Sequence, residues 1–291
     1  MDILTSYSFI IVAFGTVILA IASGVVGTVS VLKGQSLIGD AIGHATFPGV
    51  VIAFMIFGMM ETSVLVIGAV IFGVLAFWFI NKITSESKIS LDSALALILS
   101  SFFGLGMVLK SYVQGNSNFS GTQGIDDFIF GQAAYMLRSD VYIIIAAALI
   151  SLLIFTIFYH QLRIYIFDET YSRTIGINKN LMNTLVLLMT IALISVGLKA
   201  VGAILIVNIL IVPAVIGSLW SNRFLNVLVI AGISGGVSAF IGTFVSTAFT
   251  GIPTGPANIL SLSILLILSL VVAPKGLGSK IIQSKKRGAN I

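Results

Sequence analysis

Gly39-Asp40-Ala41-Ile42-Gly43-His44-Ala45-Thr46-Phe47-Pro48-Gly49 opens an apolar run that extends over 38–58. It places a carboxylate and an imidazole four residues apart, about one helical turn, so Asp40 and His44 share a helix face. His44 is one of only two histidines in the chain. An acid and an imidazole inside an apolar segment make half of a metal site or a proton-handling pair. The run itself has the roughly 20 residues that cross a bilayer core, so the fold is decided by how often such runs recur.

They recur along the whole chain. Runs fall at 8–32, 38–58, 62–81, 91–111, 140–160, 181–198, 200–220, 224–249 and 258–273, with only Lys199 dividing the sixth from the seventh. Of the 291 residues, 58% are hydrophobic and 9% charged, and the mean hydropathy is +1.15. A soluble domain carries roughly 25% charged residues. The expectation is an all-α, polytopic transmembrane helical bundle of about nine spans, a single transmembrane domain over 1–291. Met1-Asp2-Ile3 lacks a basic region and a small-residue cleavage site, so the first run is expected as a retained helix. Cysteine is absent, which excludes disulfides and thiolate metal sites.

Lys and Arg set the expected orientation. Placing the C-terminus inside puts 12 of the 15 basic residues on the inner side and leaves Lys110, Arg138 and Lys199 outside. That asymmetry predicts N-terminus out and C-terminus in. The net charge of +5 belongs to short loops and the tail and is no signal for nucleic acid. The tail at 274–291, with Lys285-Lys286-Arg287, reads as a basic cytoplasmic anchor.

Between the runs, three segments carry information. The outer loop over 112–139 holds Asp126 and Asp127, and its second half suits a short surface helix that attracts cations, docks a partner or is simply solvated. The inner segment over 161–180 suits a short amphipathic docking helix. There Asp168 is placed to cap a helix, Glu169 suits its first turn and Gly176 its end. His160 beside it reads as an interfacial side chain. Gly202, Asn208 and Pro213 interrupt the seventh run as in pathway-lining broken helices. Asn208 faces either a pathway or a neighbouring helix.

The glycines near Asp40 and His44 allow close helix approach and leave room beside the pair. Pro48 is expected to bend the helix just beyond. A charged group within a span costs several kcal/mol unless paired or hydrated. The alternative is that Asp40 caps its helix and His44 is a packed imidazole. One Asp and one His are too few for a complete site. Two copies related by a two-fold axis supply two carboxylates and two imidazoles, a set that suits manganese, iron or zinc.

The chain resembles the membrane permease subunits of ABC importers for manganese, zinc and iron, the ABC-3 metal permeases. The resemblance is carried by residues 39–49, then 167–176, then 201–214, and by Pro253-Thr254-Gly255. It implies a dimer around a central pathway with Asp40 and His44 as its metal-coordinating residues. It implies that Phe167, Asp168, Glu169, Arg173 and Gly176 form the coupling helix that docks on an ATP-binding cassette subunit. It also implies an extracytoplasmic metal-binding protein that delivers the ion, with manganese favoured. Gly43 stands where the family often has Ser, Phe47 where it often has Leu, and Asn208 where a small residue is usual.

No Gly-x-x-x-x-Gly-Lys-Ser/Thr loop is present, so ATP hydrolysis belongs to a separate subunit and the chain itself is read as non-catalytic. The divalent ion is cargo, not a resident cofactor. The competing readings are a secondary metal carrier that needs no ATPase, and an intramembrane hydrolase. The second lacks a partner to orient Ser218 with His44, and lacks His-Glu-x-x-His.

Overall fold

The computed structural model describes residues 7–116, 119, 124–125, 128, 131, 133, 136–249 and 252–278. The elements are α1 Tyr7–Leu32, α2 Leu37–Phe57, α3 Thr62–Glu86, α4 Leu91–Gln114, α5 Arg138–Ile157, α6 Tyr159–Phe167, α7 Glu169–Thr174, α8 Lys179–Val201, α9 Ala203–Trp220, α10 Phe224–Ala248 and α11 Thr254–Val272. Among the described residues there is no strand. Eight of these helices are long and apolar enough to cross a bilayer, and α9 adds the shorter apolar stretch Ile206–Trp220. The protein is therefore a multi-pass membrane protein built as an all-helical bundle.

Burial divides the helices. α1, α2 and α8 lie mostly inside the bundle, whereas α3, α4, α5 and α11 expose most of their surface, the side that lipid covers. Glycine sets the closest crossings. A Cβ at Gly49 would collide with the backbone of Gly68, and one at Gly27 with the backbone of Leu210. These positions bring α2 onto α3 and α1 onto α9 at backbone contact, as small residues do in membrane bundles.

The boundary between the sixth and seventh runs is not at Lys199. That residue lies in the last turn of α8, and the break falls at Gly202, whose φ of 93° only glycine adopts readily. Lys199 stays inside the helix because Asp140 receives it. Nζ lies 2.7 Å from Asp140 Oδ2 and donates to Thr62 Oγ1 at 3.0 Å. Asp140 also accepts the Leu137 N–H at 2.8 Å, capping α5. This knot joins α3, α5 and α8 at one end of the bundle. Gly131 from the preceding loop packs on the Val201–Gly202 backbone beside it. Ile125, Phe128 and Ala133 of that loop are buried, while Asp126 and Asp127 lie outside the described residues.

Pro48, where a bend is expected, lies within α2, which continues as one helix through it. The segment over 161–180 forms two short helices, α6 and α7, instead of one. Asp168 ends α6 and starts α7, accepting the Tyr171 N–H at 2.8 Å. At the chain's described end, Lys275 Nζ donates to the carbonyls of Ser218 and Ser221, closing the C-terminus of α9. The rest of the basic tail, from 279 on, lies outside the described residues.

Candidate functional site

α2 brings Asp40 and His44 together as the spacing requires. His44 Nε2 lies 3.5 Å from Asp40 Oδ1. Asp40 sits in the first turn of α2, where a carboxylate is favoured by the helix dipole. It caps nothing, because the N-terminus of α2 has no side-chain cap. Asp40 is 37% exposed and His44 15% exposed, so the pair opens on one side only.

Three helices fix the imidazole. Phe103 of α4 meets it edge-on, with ring centroids 4.9 Å apart. Gly43 next to it lets α9 approach, since a Cβ there would stand 3.3 Å from Val207 and 3.5 Å from the Ala203 carbonyl. Behind the ring, Nδ1 is buried with no hydrogen-bond partner. Buried ring nitrogens are normally satisfied. Asn208, on the neighbouring α9, is half-buried and its side chain makes no hydrogen bond among the described residues. No cluster of three or more His, Asp or Glu is found among the described residues. One copy thus supplies one oxygen and one nitrogen donor.

At the opposite end from the Lys199 knot, Glu169 of the predicted docking segment gathers three cations, of which Arg173 alone is among the predicted docking residues. Its carboxylate receives Arg173 and Lys179, each at 2.8 Å, and Lys33 at 4.0 Å. The hydrogen bond from Lys179, followed by that from Arg173, holds the Glu169 carboxyl below its usual range against the opposing effect of burial. Lys33, from the end of α1, lies 3.5 Å over the Tyr165 ring. Burial pulls its ammonium pKa down and Glu169 pushes it back up. Burial, with Glu169 second, raises the Tyr165 hydroxyl to about 12. Phe167 is exposed and Gly176 turns the chain with φ 84°.

The i,i+4 spacing made Arg173 visible as a partner of Glu169 in the sequence. Lys33 and Tyr165 gave no local signal, since their contacts join α1 to α6 and α7, elements far apart in sequence. The Asp140–Lys199 pair was missed for the same reason. His160 is exposed at the surface, as expected of an interfacial side chain.

Comparison with known proteins fits this architecture. The chain is 39% identical over 271 residues to the manganese transport system membrane protein MntC of Bacillus subtilis (strain 168). That match covers 92% of the chain but 62% of the relative, so the chain spans under two thirds of that protein's length. It is 34% identical over 275 residues to the zinc transport system membrane protein TroC of Treponema pallidum, covering 94% of the chain and 92% of the relative. The solved structure of PsaBC from Streptococcus pneumoniae in complex with Fab superposes with a TM-score of 0.83 at 29% identity, over 94% of this chain and 95% of that one. The model of the ABC 3 transport family matches residues 6–273, and the chain belongs to that family.

Proposed function

We propose that the chain is the membrane-spanning subunit of an ATP-driven importer of divalent transition-metal ions, manganese before zinc or iron(II). Asp40 and His44 coordinate the ion in transit. A second copy of the permease completes the ligand set at a dimer interface. Phe167, Asp168, Glu169, Arg173 and Gly176 dock an ATP-binding cassette subunit on the cytoplasmic side, within the coupling segment 161–180. An extracytoplasmic metal-binding protein delivers the ion to the opposite face.

The observation that carries this reading is the 3.5 Å separation of Asp40 Oδ1 and His44 Nε2. A direct N–H···O bond is typically about 2.9 Å long. Two ligands that each stand about 2.1 Å from one ion at tetrahedral angles lie about 3.4 Å apart. The pair is thus spaced as two donors for one ion better than as donor and acceptor for each other. An oxygen–nitrogen set without sulfur suits manganese, iron(II) and zinc alike. The manganese preference draws on the 39% relative from Bacillus subtilis, and zinc is its competitor through the relative from Treponema pallidum.

The test is uptake of radiolabelled manganese and zinc into vesicles holding the permease with and without its ATPase. Asp40→Ala or His44→Ala abolishes ATP-dependent uptake while the protein remains inserted and folded. Wild-type uptake in either variant removes the metal-site assignment. Uptake indifferent to the ATPase replaces the importer reading with a secondary carrier.

A further inference from the structure

A second feature of the molecule is independent of the metal reading and rests only on the membrane-spanning fold. Where α6 meets the start of α10, a cavity of about 870 Å³ opens at the bundle's edge. Its floor is aromatic: Phe224 is buried, stacks on Tyr159 with centroids 5.5 Å apart and meets Phe167 edge-on at 5.8 Å. Its rim is basic. Arg163 and Arg223 both line it, and neither guanidinium has an ion-pair or hydrogen-bond partner among the described residues. The carboxylate present, Asp168, is occupied in capping α7. The N-terminus of the 25-residue α10 also opens here without a side-chain cap, which adds positive potential.

A separate apolar groove of about 530 Å³ runs along the next turns of α10, from Leu228 to Phe240, walled on the other side by Val17, Ile21 and Val25 of α1. From the cavity onward α10 exposes Leu225, Val229, Ile233 and Val237, one per turn. From Leu225 to Val237 the helix rises about 18 Å, close to the ~15 Å depth of one hydrocarbon leaflet. A cationic pocket at a span's end, with a leaflet-deep apolar groove starting one turn further along the same helix, matches a phosphate headgroup with its acyl chain.

We propose that this cavity and groove bind one anionic phospholipid, with the headgroup phosphate between Arg163 and Arg223 and an acyl chain in the α1–α10 groove. On the orientation read from the basic residues, the headgroup lies in the inner leaflet, alongside the segment proposed to dock the ATPase. The lipid then braces α6 and α7 from the membrane side.

The experiment is native mass spectrometry of the full chain in detergent, titrated separately with phosphatidylglycerol and phosphatidylcholine of matched acyl chains. Two arginines near an anionic headgroup predict roughly 30-fold tighter retention of phosphatidylglycerol. Arg163→Gln/Arg223→Gln removes that preference, lowering phosphatidylglycerol retention far more than phosphatidylcholine retention. Lys82→Gln/Lys88→Gln, with the same loss of charge elsewhere, keeps it. Gly232→Leu fills the groove, where an added Cβ meets Ile21 and Val25 at 3.5 Å, and lowers retention of both lipids. Equal retention of the two lipids by wild type overturns the proposal. So does a preference that survives the double arginine variant or vanishes equally in the lysine control. Competition by inorganic phosphate without lipid selectivity reduces the cavity to an anion site and also overturns it. Loss of the preference when the ATPase subunit is added assigns the cavity to that subunit instead.

Discussion

Replacing Lys199 by Met is the sharpest test of how this bundle tolerates charge. Asp140 is 3% exposed, and its Oδ2 takes two donors, the Leu137 N–H at 2.8 Å and the Lys199 ammonium at 2.7 Å. Lys199→Met keeps the apolar stem but strips the carboxylate of its counter-charge in a place water does not reach. Breaking a buried pair from one side costs about 3–5 kcal/mol, because the remaining charge is uncompensated. Removing both charges, with Lys199→Met and Asp140→Leu together, costs far less. That double variant loses chiefly the α5 cap, about 1 kcal/mol. The double variant is therefore expected to be about 2–4 kcal/mol more stable than Lys199→Met alone. Equilibrium unfolding in mixed detergent micelles, followed by tryptophan fluorescence, measures wild type and both variants. A single variant within about 0.5 kcal/mol of wild type, or a double variant at least as unstable as the single, refutes the desolvated pair. The polar knot would then be solvated and energetically idle.

Other outcomes follow from the same geometry. Gly49→Val drives a side chain into the Gly68 backbone and is expected to cost at least about 1–3 kcal/mol, read as lost thermal stability; unchanged stability means that α2 and α3 do not cross as described. Gly202→Ala forces a side chain onto φ 93° at a cost of about 1–3 kcal/mol, whereas Gly104→Ala, which meets open space, is neutral in the same melt. Asp168→Ala, Glu169→Ala and Arg173→Ala together weaken co-purification of the ATPase while leaving metal binding to the permease intact, and undiminished co-purification counts against the docking assignment. The Glu169 carboxyl is held below its ordinary value of 4.5, so the contribution of its ion pairs is fully present above pH 4.5 and is lost as the pH falls through its depressed pKa. Hydrogen exchange over 159–180 should therefore show constant protection from pH 7 to pH 5, and protection lost within that range would show that Glu169 does not hold the segment.

Much of the fold is written in run length. Nine apolar stretches predict nine apolar helices, because a backbone in lipid has to satisfy its own hydrogen bonds and a helix does so locally. The misplaced boundary shows where polarity misleads. Lys199 looked like the end of a helix since it is charged, but a charge ends a span only when nothing inside receives it. Asp140, 59 residues away, receives it, and the break moves to the residue whose φ demands glycine. The split of the 161–180 segment has a similar source. Asp168 was legible as a cap, but a cap that starts α7 also has to stop whatever precedes it. At the site, the Asp40–His44 pairing was legible because it lies within one helical turn. The Phe103 contact and the approach of α9 were not, since both join elements distant in sequence.

The chain's buried polar groups differ in how well they are satisfied, and the difference bears on function. Asp140 has its cap and its ammonium, and Thr62 closes the same knot. Glu169 has Arg173 and Lys179, with Lys33 just beyond. Both knots are complete within one copy, and each ties helix ends that hydrophobic packing alone leaves free to slide. The pair on α2 is not complete. His44 Nδ1 is buried with no partner, and Nε2 stands off Asp40 at 3.5 Å. An acid and an imidazole left short of partners within a span are expensive unless something outside the fold supplies the missing interaction. On the function proposed above, a divalent cation in transit would supply it while bound and withdraw it on release. A site with few ligands per copy also suits cargo, because an ion held by a full cage would not leave. The incompleteness that makes Asp40 and His44 poor structural elements is therefore what the proposed transport role would use, and uptake by Asp40→Ala and His44→Ala decides it.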